Sequence, residues 1–318
     1  MCSISGIING DIKSLRKMIS LQSHRAPDDS GYHVDKNIFI GMGRLKIIDL
    51  KSRNLCPYID DDVVVSYNGE IYNYIELRNE LKKYNWKFKT NSDLEVLVNS
   101  WKQWGFKIFE KLNGMFAFCI YDKKKNKIIL SRDIAGEKPL YYSKIGKKFY
   151  FASEAKAIAG VCNNSLIENK KVFYALQHCL SDTLWKNIFQ LPASHYLIID
   201  LKTLNYKTHE YWKFKKKKID LKEPDEQLKE LLERSIKLRL RSDVDFALYY
   251  SKGMDSSLIS TFYKFKNKFY FNDQKYWKKD FLKKFKKISY HLDFPIGSLS
   301  SYPLWKLAEQ AKQKKIKV

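Results

Sequence analysis

The sequence predicts a layered α+β domain followed by a partial parallel α/β domain, and three observations carry that expectation. Over residues 2–205, short β-branched and aromatic runs come in groups, with helical patterns between the groups. Across 206–222 the texture shifts to a linker containing Lys213-Phe214-Lys215-Lys216-Lys217-Lys218. From 223 to 318, a helix, an apolar strand, a small polar loop and a second helix follow in the order of a sheet whose ligand loop sits at a strand's carboxyl end.

Taken in order, Asn37–Gly41, Val63–Tyr67, Phe116–Tyr121, Lys127–Ser131 and Lys148–Ala152 are short, rich in β-branched and aromatic residues, and bounded by Asn, Asp, Gly or Lys. They are read as strands. Ile75–Lys83 follows a turn and carries a helical pattern. Asp93–Trp104 is a second helix, opened by the cap-like Ser92-Asp93-x-Glu95. Beyond the linker, Leu228, Leu231, Leu232 and Ile236 recur at helical spacing between Asp225 and Leu240. Phe246–Tyr250 is an apolar strand, Ser251–Ser257 a small polar loop, and Leu258–Phe265 a further helix.

Composition narrows the function classes. At 318 residues, 44% hydrophobic and 15% aromatic, the chain has enough material for two cores. No apolar run approaches the ~20 residues that span a bilayer, and no signal-peptide pattern opens the chain, so no membrane partner and a cytoplasmic setting are expected. The five cysteines (2, 56, 119, 162 and 179) are scattered without a CxxC pair, which argues for reduced thiols and against a disulfide framework or metal site. The net charge of +24 comes mostly from dispersed lysine. Bidentate phosphate recognition favours arginine, and no nucleic-acid-binding motif appears, so no specific nucleic-acid partner is expected.

Chemistry enters with Cys2, directly after the initiator methionine. Removal of Met1 would give one residue both a thiol and an α-amine, which titrates at about 7.7–8.0 and can take the thiol proton. Position alone favours reading Cys2 as the start of a buried strand among Ile4, Ile7 and Ile8. The loop Ser251-Lys252-Gly253-Met254-Asp255-Ser256-Ser257 offers backbone N–H groups for an anion at a helix start, with a plain turn as the alternative.

A wider set of motifs gives these pieces a context. His24-Arg25-Ala26-Pro27-Asp28, Gly43-Arg44-Leu45, Tyr67-Asn68-Gly69-Glu70-Ile71-Tyr72-Asn73, Asn91-Ser92-Asp93-x-Glu95, Asn113-Gly114-Met115-Phe116-Ala117-Phe118, Ser131-Arg132-Asp133, Lys138-Pro139-Leu140-Tyr141-Tyr142 and Phe151-Ala152-Ser153-Glu154 follow one another. In order and spacing they resemble class II glutamine amidotransferases. With the Ser-x-Gly-x-Asp-Ser loop behind them, they resemble the glutamine-hydrolysing asparagine synthetases. The resemblance implies an N-terminal-nucleophile hydrolase sandwich (αββα) and a partial ATP-pyrophosphatase-like domain. Two departures stand out: Ala26 and Lys252 each occupy a position where the family carries glycine.

The resemblance assigns roles that the residue chemistry can support. Cys2 would be the nucleophile. Arg44 offers a planar fork for the glutamine α-carboxylate, and Asp93 with Glu70 suits its α-ammonium. The Asn68 amide and Gly69 N–H would form an oxyanion hole. Taken singly, Arg44 is also a surface arginine, Asp93 a helix cap, and Asn68-Gly69 a hairpin turn. His24 is expected to pack its loop, and Cys56, Cys119, Cys162 and Cys179 match no motif.

For the second domain, the resemblance implies ATP and Mg²⁺, with aspartate activated and then amidated. Ser251, Gly253, Asp255, Ser256 and Ser257 would hold pyrophosphate, with the backbone near Tyr250 and Phe271 close to the nucleotide. The chain stops at Val318, before a further family motif, so the synthetase half is expected to be truncated. A separately encoded C-terminal synthetase fragment, a homodimer partner, another carboxylate acceptor such as a sugar acid, and a non-enzymatic remnant are the alternatives left open.

Overall fold

The computed structural model describes residues 1–53, 55–162, 183–216, 223–271 and 277–317. Cys179 and part of the lysine-rich linker, including Lys217 and Lys218, lie outside the described residues. The chain divides into two compact units, Met1–Phe214 and Lys215–Val318.

The first unit is built on two six-stranded sheets. Their strands are β1 (Ser3–Ile8), β2 (Asp29–Asp35), β3 (Ile38–Arg44), β4 (Tyr58–Ile59), β5 (Val63–Ile71), β6 (Gly114–Asp122), β7 (Lys127–Arg132), β8 (Tyr141–Ile145), β9 (Lys148–Ala152), β10 (Phe189–Gln190), β11 (His195–Asp200) and β12 (Tyr206–Glu210). One sheet runs β10-β8-β9-β1-β3-β2 and the other β12-β11-β7-β6-β5-β4, with antiparallel pairing in both. Residues 206–210, expected in the linker, pair with β11 as β12, because Tyr206 to Glu210 complete that sheet's edge ladder.

Period-two alternation decides which layer each side chain enters. Ile4 and Ile8 of β1 meet Val64, Ala117, Cys119 and Leu130 of the other sheet in a core between the sheets. Ile7, on the opposite face of β1, packs with Leu15 and Met18 of α1 (Ile12–Leu21) and Ala155 and Ile158 of α4 (Ala155–Ala159). Val63, Val65 and Tyr67 of β5 face α2 (Tyr74–Lys83) and α3 (Asp93–Trp104) through Leu77, Leu81, Leu94 and Leu97. The result is an αββα sandwich.

The second unit is sparser. Its helices are α5 (Pro224–Arg239), α6 (Met254–Phe262), α7 (Trp277–Leu292) and α8 (Ser301–Gln313). β13 (Leu248–Tyr249) pairs in parallel with β14 (Lys268–Phe269). The strand expected over 246–250 is therefore confined to two residues, and the helix expected to start at Leu258 begins at Met254, directly after the polar loop. Buried apolar clusters here are small: Phe269, Leu307 and Ala311 in one, Phe281, Ile288 and Tyr302 in another. Leu228 and Leu231 of α5 stay more than half exposed. Among the described residues, no helix is long and apolar enough to cross a membrane.

Candidate functional site

Cys2 immediately precedes β1, half-buried, with its Sγ held by one residue. Leu45 N donates to Sγ at 3.4 Å, and Sγ reaches Leu45 O at 3.8 Å. Leu45 follows the last residue of β3, which pairs with β1 through Ser3↔Gly43. The nucleophile candidate is thus fixed by the ladder that builds the sheet. Burial pushes its thiol up, opposed by the Leu45 N–H and by the charges of the α-amine and Arg44. With Met1 in place, the chain's α-amine is drawn down to about 6, chiefly by burial.

Arg44 ends β3 and is 5% exposed. Its Nη2 donates to Ile48 O and Asp49 O, both at 2.9 Å, and Nη1 to Ser52 O at 3.3 Å. The surface-arginine alternative does not hold. Asp49 fastens the same loop to the approach of α3, taking Asn91 N at 2.9 Å and Ser52 N at 3.0 Å.

Asn68 and Gly69 lie in the body of β5, opposite Ala117 and Phe116, and not at a hairpin turn. A Cβ on Gly69 would stand 2.1 Å from Met115 O, so this approach of β5 to β6 requires glycine. Phe116 commits both backbone groups to Asp133: its N donates to Oδ2 at 3.1 Å and its O accepts from Asp133 N at 2.8 Å. In an antiparallel ladder, the facing Gly69 N–H must therefore point away from β6. Among the described residues, the strand on that edge is the two-residue β4, which pairs no further along β5 than Val65. Ile71 N, of the same parity, points there too and donates to Asp93 Oδ2 at 3.1 Å. Asn68 is fully buried, yet its Oδ1 and Nδ2 meet no hydrogen-bond partner among the described residues.

Asp93 opens α3, capped by Ser92 Oγ, which accepts from Leu94 N at 3.2 Å. Its own carboxylate does not cap the helix. It accepts from Tyr67 Oη at 2.8 Å and from Ile71 N, so it is turned toward β5. Burial pushes its carboxyl up, while those two hydrogen bonds and the Arg44 charge pull the other way. Glu70 is pushed up to about 7 by burial and by the charge of Asp93, with Lys138 opposing.

Two members of this group stand in the motifs without a role assigned to them. Tyr67 orients Asp93, and Lys138, 8% exposed, lies within the electrostatic reach of Glu70, Arg25 and Cys2. Burial draws the Lys138 ammonium down, and Glu70 partly restores it. Lys138 is set by Asp133 Oδ2, which takes its backbone N at 3.0 Å. Its signal is Lys138-Pro139-Leu140, but a lysine ahead of a proline does not reveal burial.

The second candidate site behaves differently. The hydroxyls of the 251–257 loop bond mainly to one another: Ser251 Oγ and Ser256 Oγ lie 3.2 Å apart, Gly253 N donates to Ser251 Oγ at 3.2 Å, and Tyr250 Oη lies 3.2 Å from Ser257 Oγ. Lys252 has φ 62°, the left-handed region where glycine is at ease. Asp255 is exposed in the first turn of α6, and Phe271 packs edge-on against Tyr302. Tyr250, Ser251, Gly253, Ser256 and Ser257 are gathered, but Phe271 is engaged in an apolar cluster.

The glutamine amidotransferase domain family matches residues 1–212, and the asparagine synthase family matches residues 227–274. A Methanocaldococcus jannaschii chain assigned to the glutamine-hydrolyzing asparagine synthetases is 34% identical, covering 98% of this chain and 72% of its own length. Asparagine synthetase (glutamine-hydrolyzing) 2 of Bacillus subtilis is 35% identical over 82% of this chain and 38% of its own. Asparagine synthetase B of Escherichia coli is 33% identical over 82% of this chain and 44% of its own. The chain thus spans under half the length of these two bacterial relatives. The structure of a B. subtilis glutamine phosphoribosylpyrophosphate amidotransferase superposes with TM-score 0.50 at 15% identity, over 88% of this chain and 70% of that one, which is a likeness of fold.

Proposed function

Because the chain belongs to the glutamine-hydrolysing asparagine synthetase family, we propose that its first unit hydrolyses glutamine at Cys2. The observation that carries this reading is the buried, unpartnered amide of Asn68 beside a strand edge onto which Gly69 N–H is turned. After removal of Met1, the Cys2 α-amine takes the thiol proton, and the thiolate attacks the side-chain amide carbon of glutamine. Asn68 Nδ2 and Gly69 N–H receive the charge that builds on oxygen. The amide nitrogen takes that proton and leaves as ammonia, giving a γ-glutamyl thioester. Water then hydrolyses the thioester to glutamate and restores the thiol. Arg44 takes the substrate carboxylate, while Asp93 and Glu70 take its ammonium.

The test is mass spectrometry of the intact protein after incubation with a glutamine-analogue alkylator. The expected result is one covalent adduct on Cys2 of a chain lacking Met1. A folded protein with Met1 removed and Cys2 unmodified would overturn the reading.

For the second unit, we propose that residues 215–318 alone complete no synthesis. The residues described do not fit a finished site for ATP and Mg²⁺: the loop is closed on its own hydroxyls, Lys252 stands where φ favours glycine, and the parallel sheet has two strands among the described residues. The proposed product is ammonia, in a cytoplasmic setting, for an acceptor carboxylate such as aspartate. A further stretch of synthetase domain, on a C-terminal fragment or a second chain, would supply the acceptor chemistry. Asparagine formation from glutamine, aspartate and MgATP by the 318-residue chain would overturn this part.

A further inference from the structure

The pair Ser153-Glu154 takes no part in the chemistry above, yet it grips the start of β1. Ser153 N donates to Ile4 O at 3.0 Å, and Ser153 Oγ accepts from Ile4 N at 2.9 Å. Glu154 is 1% exposed. Its Oε1 accepts from Arg25 Nη1 at 3.0 Å and lies 2.9 Å from His24 Nε2, and its Oε2 lies 2.5 Å from Lys156 Nζ. Arg25, itself 7% exposed, donates Nε to Cys2 O at 3.2 Å and turns Nη2 to Met1 Sδ at 3.5 Å.

Two physical facts meet here. A chain end is ordinarily the least ordered part of its element. A nucleophile, in contrast, loses as much as ~100-fold in rate when it is misplaced by about 1 Å. The carbonyl of Cys2 is the last backbone group before the reacting thiol, and Arg25 holds it. Arg25 can be buried there because a carboxylate balances its charge. Burial would push the Glu154 carboxyl up, but the bonds from His24 and Lys156 and the Arg25 charge hold it below the usual range, so it is anionic at neutral pH.

We propose that Glu154 is a positioning residue for the nucleophile: anchored to β1 through its neighbour Ser153, it fixes Arg25, and Arg25 clamps the Cys2 carbonyl so that thiol and α-amine face the substrate once Met1 is removed. The proposal rests on the glutaminase reading. His24 is the second brace on the carboxylate, which gives the expected structural histidine a definite task.

The experiment compares full-length wild type, Glu154→Gln, Arg25→Lys and the double variant. It measures kcat and KM for glutamine hydrolysis and the rate of Cys2 alkylation by a glutamine analogue, with thermal unfolding as the check on folding. Glu154→Gln keeps the shape and removes the charge. The expected result is a kcat at least about tenfold lower, KM within about threefold, and alkylation slowed in parallel. The double variant should be no worse than about twofold below the poorer single, because both act on one contact. A kcat within twofold of wild type, or losses that multiply in the double variant, would overturn the proposal. Should Glu154→Gln fail to fold, Ser153→Ala removes only the hydroxyl on Ile4 N; a folded Ser153→Ala with unchanged kcat and alkylation then counts as refutation. Wild type that neither hydrolyses glutamine nor alkylates defeats the underlying function, whereas active wild type with indifferent variants defeats this inference alone.

Discussion

Asn68 leaves a donor and an acceptor buried without partners among the described residues, and each such group costs about 1–3 kcal/mol. A side chain kept for packing would shed that cost, so Asn68→Ala should leave folding stability unchanged or raised. Its kcat for glutamine should fall about 10²–10³-fold, the loss of one oxyanion donor of ~2.7–4 kcal/mol. A fall of less than fivefold in steady-state assays would remove Asn68 from that role. Glu70 makes a prediction in pH. Its folded pKa, about 7, lies above the 4.5 of the free side chain, so folding favours the protonated form. The stability tied to that form is complete below about pH 4.5 and is lost as pH rises through about 7. Under the proposed function substrate works the other way, since a glutamine ammonium would pair with the anion. KM should drop as pH rises through about 7, and Glu70→Gln should flatten both trends; an unaltered KM profile in that variant would count against the pairing. At this scale, local motifs single out Cys2, Arg44, Asn68, Gly69 and Asp93 as candidates. Glu154 and Lys138 lie in motifs too, but their roles were not legible because they depend on partners far along the chain: Glu154 meets Arg25 and His24, 129 and 130 residues earlier.

Among the elements, β5 carries most of the site: Tyr67, Asn68, Gly69, Glu70 and Ile71 are successive residues on it. As a sequence, Asn-Gly reads as a turn, which would stop the strand at Tyr67. What overrides the turn is its partner, since β6 pairs with β5 through to Ile71↔Gly114, and Gly69 permits the close approach. Gly69→Ala should therefore lower stability by about 1–3 kcal/mol through overpacking and abolish measurable glutaminase together. Denaturant unfolding with activity on the same samples checks this, and a stable, active variant would mean that β5 tolerates a shift. The helices were easier to see: α3 begins and ends as its Ser92 cap and Gly105 stop dictate. The short strands β13 and β14 show the reverse, since an apolar run such as Phe246–Tyr250 is fully a strand only when neighbouring strands receive it.

For the whole molecule, the two units differ in the depth of their cores. The first buries three extended apolar clusters, whereas the second buries two of three residues each and leaves Leu282 72% exposed. Urea unfolding should therefore occur in two steps, with tryptophans of the second unit reporting the earlier one. Glutaminase activity should survive past that first step. A single coincident transition by fluorescence, circular dichroism and activity would show that the units fold as one. The sandwich was legible in outline because its strands are regular and well separated. The reach of the second unit's fold was not, since the order of helix, strand and loop says nothing about how many strands will assemble.

The guanidinium of Arg44 already holds Ile48, Asp49 and Ser52 through their carbonyls. The side chain assigned to a carboxylate is therefore also the pin of the loop beside it, and that loop is tied through Asp49 to the start of α3. The entropy of ordering both has been spent during folding and is not charged to the binding step. A rigid cradle of this kind favours one shape of ligand over many, so it is a device of selectivity as much as of affinity.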